Sequence, residues 1–270
     1  MSELSTWAAQ LLHALGWLET LRPAFSDLAA ALEEYQGWHG LEVTGELDGP
    51  TRRSLATPRF CGFPDRMELD TDLPRWGVTS LTWAIDGAPL PGMNASQHKD
   101  AIMEACSAWP GVCGIRLEYS PNVNTANIVM GSGRIDGPLG TLAWSELPGP
   151  GRGQVNQRYD TSETWSIYEG PIRRQSIDPV RVMMHEVGHA LGLAHGPAGC
   201  LMAPTISEIR RPQGWDIAEA QKRYPIPAGP TQPAPPAPPT GPAPGGPVRI
   251  EVFGEVRSIS IPGYRVTKLA

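Results

Sequence analysis

The stretch DPVRVMMHEVGHALGLAH, residues 178 to 195, constrains the chain more than any other. Asp178 followed by Pro179 reads as a helix start, because a capping carboxylate accepts from a first-turn N–H and proline is tolerated where no intrahelical N–H is needed. His185 and His189 are four residues apart, so a helix places them on one face about one turn from each other. Gly192 follows where a left-handed residue ends a helix and turns the chain back. On a continued helix His195 would point to the wrong face, whereas a turn at Gly192 brings it round to the other two. The chain has only six histidines, and His13, His39 and His98 are scattered, so composition does not explain the cluster.

Three imidazoles aimed at one point suit zinc, which favours nitrogen ligands in a tetrahedral shell and, in a catalytic site, keeps one corner open. Glu186, beside the first histidine, reaches that corner rather than the metal. A carboxylate there takes a proton from water and hands it to a leaving amine, so the pattern points to metal-assisted hydrolysis of an amide. The plain alternative is an amphipathic helix with satisfied polar histidines. HExxH alone does arise by chance, but HExxHxxGxxH with a cap before it is far more specific.

Around this segment the period of the sequence changes several times. Leu4, Trp7, Leu11, Leu15 and Leu18 recur at helical spacing, and so do Leu28, Ala31, Leu32 and Tyr35. Asp48-Gly49-Pro50 starts a third short helix. Residues 1–65 therefore read as a small all-α module, joined by a linker at 66–78 to a larger domain at 79–224. In that domain SLTWAID alternates like a strand. SQHKDAIMEACSAW is helical, with Ser96 as its expected N-cap and Ile102, Ala105 and Trp109 facing inward. IRLEY, NIVMGS and GTLAWSEL read as further strands, which gives an α/β layer on a mostly parallel sheet. Residues 225–247 are so rich in proline that helix and sheet are excluded and an extended spacer is expected. The strand-like tail at 248–270 is too short to hold a core of its own.

A net charge of −6 with no basic run argues against nucleic acid as a partner, and no apolar stretch is long enough to span a membrane. The N-terminus has an acidic residue at position 3 and no basic residue before Arg22, so it is not a recognisable signal peptide. Four cysteines, Cys61, Cys106, Cys113 and Cys200, allow three pairings, and composition does not choose among these and free buried thiols.

The extended histidine motif, followed by Met202 in CLMAPTI, resembles that of the metzincin metalloproteases. LAHG followed by LMAP is similar to the matrixin family within that class, over roughly Thr79 to Tyr224. DGPLGTLAWSELP resembles the matrixin strand that pairs with substrate, and RYDTSETW the segment after it. The resemblance implies an α+β layered catalytic domain, a mostly parallel twisted sheet with helices, preceded by the small all-α module. It implies one catalytic zinc on His185, His189 and His195, with Glu186 as general base and Met202 packed below the metal. A protein or peptide substrate would lie as an added strand along Leu142, Ala143 and Trp144. Pro204, Thr205 and Ile206 would wall the pocket for the residue after the cut, Ile206 standing where the family usually has tyrosine. Asp136, Gly137, Asp160 and Glu163 fall where the family holds a structural calcium. Trp144 and Arg158 stand in place of histidines of the family's second zinc site, which is therefore expected to be absent. Secretion follows by family analogy, and a monomer is expected.

The segment EEYQGWHGLEVTGELDGPTRRSLATPRFCGFPD resembles the matrixin propeptide. It ends in a version of the cysteine-switch motif PRCGxPD, whose thiolate takes the fourth zinc position. Here Phe60 is inserted between Arg59 and Cys61. The sequence leaves Cys61 open between a zinc ligand of a latent form and a buried or disulfide-bonded cysteine. The helical module is also similar to peptidoglycan-binding domains. One rival is therefore a peptidoglycan- or protein-binding module with a vestigial metal site, its front part making a cell-wall or matrix contact, and another is an intracellular regulatory or self-processing protease.

Overall fold

Local capping sets the front module. The computed structural model describes residues 2–57, 59–66, 74–173 and 176–226. Pro58, most of the 66–78 linker, nearly all of the proline-rich stretch and the whole 248–270 tail lie outside them. Helix α1 (Glu3–Ala14) is capped by the Ser2 side chain, α2 (Phe25–Trp38) follows, and α3 (Gly49–Leu55) is capped by Asp48 as its sequence predicts. The inward face of α2 is the expected Leu28, Ala31, Leu32 and Tyr35. That of α1 is so in part: Leu15 and Leu18 of the expected stripe are buried and Trp7 and Leu11 pack half-buried against them, but Ala8, Ala9 and Leu12 are buried too, while Leu4 is 51% exposed. Ala8, Ala9 and Leu12 widen the buried face beyond the leucine stripe, and only Leu4, in the first turn, is left to solvent. The buried Gln36 ties α2 to the next turn, its Oε1 accepting from the N–H groups of Thr44 at 2.8 Å and Gly45 at 2.9 Å.

The larger domain has a six-stranded sheet in the order β1-β5-β6-β4-β2-β3. Its own strands are β2 (Ser80–Asp86), β3 (Arg116–Tyr119), β4 (Ile128–Gly133), β5 (Thr141–Ser145) and β6 (Val155–Asp160), and every pairing among them is parallel except β5 with β6. The sixth strand, β1 (Arg59–Cys61), comes from the end of the front module and lies parallel to the edge strand β5. The mostly parallel expectation holds. Neither β1 nor β6 was expected, because RFC and VNQRYD show no clear alternation until neighbours pair with them.

Helix α4 (Ala95–Ser107) and helix α5 (Pro179–Ala190) pack against each other, and α6 (Gly214–Arg223) closes the domain. The N-cap of α4 is Asn94 and not Ser96. Asn94 accepts from Gln97 N–H at 2.9 Å while the Gln97 side chain accepts from Asn94 N–H at 3.0 Å, a reciprocal box that outcompetes a lone serine. Ile102, Ala105 and Trp109 are buried as expected, and Trp109 Nε1 donates to the Met184 carbonyl of α5 at 3.1 Å. Helix α5 is buried along its whole length. At about 1.5–3 kcal/mol per large apolar side chain, this burial fixes the helix and leaves hydrogen bonds to aim its polar groups.

Candidate metal centre

The cap predicted for α5 is present: Asp178 accepts from Val180 N–H and Pro179 stands in the first turn. The helix ends at Ala190, and Gly192 takes φ +94°, the left-handed conformation that turns the chain back. A Cβ at Gly192 would also run into the Pro74 carbonyl, so space and backbone conformation both require glycine there. Gly188 serves packing instead. A Cβ on it would collide with Met202 and Trp109, so its bareness lets fully buried Met202 sit directly against α5 between the two helical histidines.

The turn brings His195 back, and Cys61 arrives from β1. Single ligand atoms of Cys61, His185, His189 and His195 lie within 4.8 Å of one another, all four residues buried, and no other such group of His, Cys, Asp or Glu occurs among the described residues. The His185 and His189 Nε2 atoms are 3.0 Å apart, and Cys61 Sγ is 3.3 Å from His189 Nε2 and 3.0 Å from His195 Nε2. A tetrahedral zinc shell spaces such atoms by about 3.4 Å, so the set fits with a small expansion.

Backbone carbonyls aim the rings. His185 Nδ1 meets Leu201 O at 2.9 Å, His189 Nδ1 meets Leu193 O at 2.7 Å and His195 Nδ1 meets Pro64 O at 2.8 Å. A carbonyl oxygen only accepts, so each Nδ1 carries the proton and each Nε2 turns a lone pair to the centre. Burial also keeps the imidazoles neutral, the form that ligates: His189 is pushed down to about 4, and His185 and His195 are held well below the usual range by burial and then by the neighbouring His189. Asp216 of α6 steadies the segment that carries one of these carbonyls, that of Leu201. Its carboxylate accepts from Leu201 N–H at 2.8 Å and Met202 N–H at 2.9 Å. Sequence reading missed Asp216, though an acid three residues after Gln213 at a helix start was a readable signal.

Glu186 is fully buried, and neither carboxylate oxygen has a hydrogen-bond partner. Burial raises its pKa well above the ordinary carboxylate range. An unpartnered buried carboxylate is costly and is rarely kept without a chemical role.

The segment carrying Cys61 is built into a slot. Arg59 pairs with Thr141 and Cys61 with Ala143 on one side; on the other, Phe60 N–H donates to Pro204 O at 3.0 Å and Arg59 bridges Thr205. Leu142, Ala143, Pro204 and Thr205 thus border the slot, and Ile206 is buried behind them. Trp144 is only half-buried and stands opposite Arg158 across β5 and β6, the arginine donating to Ser132 O at 3.1 Å. Despite the inserted Phe60, Arg59 still forms an ion pair with Asp65. The buried Asp65 carboxylate also accepts from Trp17 Nε1 at 2.8 Å and meets His39 Nε2 at 3.1 Å, so it gathers the front module around the slot. Burial opposes ionisation of Asp65, but His39, Arg59 and Trp17 together hold it below the usual range. None of this clamp was legible in the sequence beyond the motif itself. All four cysteines are free and buried, so the bridge between Cys106 and Cys113 left open by the sequence is not formed.

The suggested calcium residues meet in one loop cluster, where their carboxylates accept from backbone N–H groups. Asp160 accepts from the N–H groups of Asp136 and Gly137, Glu163 from Leu139 and Asp136 from Thr141.

Residues 75–224 match the family described as Matrixin. Metalloendoproteinase 1 of Glycine max is 31% identical over 253 residues, covering 79% of this chain and 79% of that protein. Matrix metalloproteinase-20 of Homo sapiens is 31% identical over 216 residues, 76% of this chain and 42% of that protein, and interstitial collagenase of Sus scrofa is 32% identical over 216 residues, 75% and 44%. The chain thus spans less than half the length of these two animal relatives.

Proposed function

This chain belongs to the matrixin family, and from that premise we propose that it is a zinc-dependent endopeptidase of protein substrates, held latent by residues 59–65. The observation that carries the proposal is the convergence of three Nε2 lone pairs and one thiol beside an unpartnered buried carboxylate. His185, His189 and His195 would hold zinc in every state, and Cys61 would hold the fourth position only in the latent one. Bound there, zinc supplies Lewis acidity, activating water near neutral pH and polarising a carbonyl.

Glu186 does the proton work. Its carboxylate takes a proton from the attacking water and passes it to the amide nitrogen as the C–N bond breaks. The raised affinity of this buried group for protons suits the second half of that task. The slot between β5 and residues 204–205 orients the substrate, whose backbone would replace that of β1 as an added strand along Leu142 and Ala143. While β1 fills the slot, neither water nor substrate reaches Glu186.

Export of the chain is part of the proposal by analogy with the family; no helix among the described residues is long and apolar enough to cross a membrane. A binding module with a vestigial metal site is not favoured, because such a site has no reason to keep Glu186 buried and unpaired.

Zinc analysis and peptide-library cleavage of the full chain, of Cys61→Ala and of Glu186→Ala test the reading. The expected result is about one zinc per chain, hydrolysis that rises in Cys61→Ala, and none in Glu186→Ala. Zinc without hydrolysis in Cys61→Ala would overturn it.

A further inference from the structure

The insertion that breaks the switch motif has a structural answer. Successive side chains on an extended strand point to opposite sides, so adding one residue puts Arg59 and Cys61 on the same side and sends Phe60 to the other. Phe60 is completely buried, and its ring stacks on the imidazole of His185, centroids 4.7 Å apart and planes 19° from parallel. It belongs to the same core cluster as Leu142, Ala143 and Ile206, and its N–H is bonded to Pro204. These are the walls of the slot. Phe63, by contrast, is only half-buried and meets His189 edge-on at 4.7 Å.

We propose that Phe60 is an internal stand-in for a substrate side chain: it plugs the pocket beside the metal, and that pocket selects peptides with an aromatic residue following the cleaved bond. This rests on the endopeptidase reading above. An extended peptide in the slot sends alternate side chains to the side that Phe60 now occupies, so one next to the reacting carbonyl would enter the same hole. The hole is walled by apolar groups and the flat face of a neutral imidazole, so it accepts a flat apolar ring and rejects a charge, which would be buried without a partner. Latency then has two parts, the Cys61 sulfur on the metal and the Phe60 ring in the pocket. Removing a buried phenyl anchor is worth on the order of ten- to a hundredfold in a local equilibrium.

The test uses the full zinc-loaded chain, and its first readout is alkylation of the four free cysteines by iodoacetamide, followed by mass spectrometry. Phe60→Ala is expected to speed modification of Cys61 at least tenfold while Cys106, Cys113 and Cys200 stay protected. A Cys61 rate unchanged from the wild type would overturn the plug. If all four thiols open together the variant has unfolded, and Phe60→Leu decides: a selective rise at Cys61 alone supports the proposal, and none overturns it. The second readout is cleavage of a peptide library by Cys61→Ala and by Cys61→Ala/Phe60→Ala. The double variant is expected to be about tenfold more active and to prefer phenylalanine or tyrosine after the cut by a similar factor. Cleavage without aromatic preference would overturn the substrate assignment alone, whereas no cleavage of any peptide by the metal-loaded double variant would overturn the endopeptidase reading beneath it.

Discussion

Two segments deliver ligands to the same centre and are secured in opposite ways. The α5 turn, residues 179–195, supplies three imidazoles from a helix buried along its length, with Met202 packed against it and each ring held by a carbonyl. The β1 segment supplies one thiol from a three-residue edge strand, secured by a few backbone bonds, the Phe60 ring and the Asp65 clamp. Removing β1 would expose an edge of the sheet, whereas removing α5 would dismantle the core. A ligand that must stay is built into a core helix, and one that must leave rides on a sheet edge, held by one buried ring and a few polar contacts.

Glu186→Ala in the Cys61→Ala background puts the greatest strain on this contrast. Hydrolysis is expected to fall by about 10²–10⁴-fold with zinc content unchanged, because the residue moves protons and holds no metal. Zinc lost together with activity would place Glu186 among the structural groups of α5 and weaken the assignment. Gly192→Ala probes the permanent arm. Both the +94° backbone and the Pro74 carbonyl oppose a Cβ, so a loss of about 3 kcal/mol in thermal stability, together with weakened zinc binding, is expected. A variant that melts and binds zinc like the wild type would show that the return of His195 does not depend on this turn.

The removable arm should respond differently. Asp65→Asn leaves Arg59 without its buried counter-charge and is expected to destabilise the full chain by about 2–3 kcal/mol while exposing Cys61 to alkylation. Zinc affinity measured in the Cys61→Ala background should not change. If it drops, the two arms are less independent than their packing suggests. The smallest effect is one of acidity. The fold holds the Asp65 carboxyl below its ordinary value of 3.8, so its contribution is full above that value and is lost as pH falls through the lower, folded one. Fluorescence of Trp17, whose indole donates to this carboxylate, should follow the loss in the wild type. The stability gap to Asp65→Asn should close in the same acidic window, and a gap that persists there would show that the clamp does not rest on ionised Asp65.

Legibility of the chain follows the range of the interactions. The cap at Asp178, the four-residue spacing of His185 and His189 and the break at Gly192 are local, and each sits in the structure where its residue types require. The Phe60 insertion was equally visible, but its outcome was not. In one dimension it shifts Arg59 by one position relative to Cys61; in three, an edge strand and a hole beside His185 absorb the extra residue, and Asp65 still reaches Arg59. Strand β6, the inward face of α1 and the support that Asp216 gives to Leu201 and Met202 were hidden for the same reason, since each depends on a partner far away in the chain.

The sequence by itself determined the clustering of the three candidate imidazole ligands and the proposed base on one helix and its turn, because cap, spacing and glycine act within one or two turns of backbone. Only the tertiary structure decided that Cys61 reaches the three histidines, that Phe60 fills the adjoining pocket and that Asp65 binds the front module to both. Those outcomes depend on edges, cavities and buried charges that exist only after distant segments have packed.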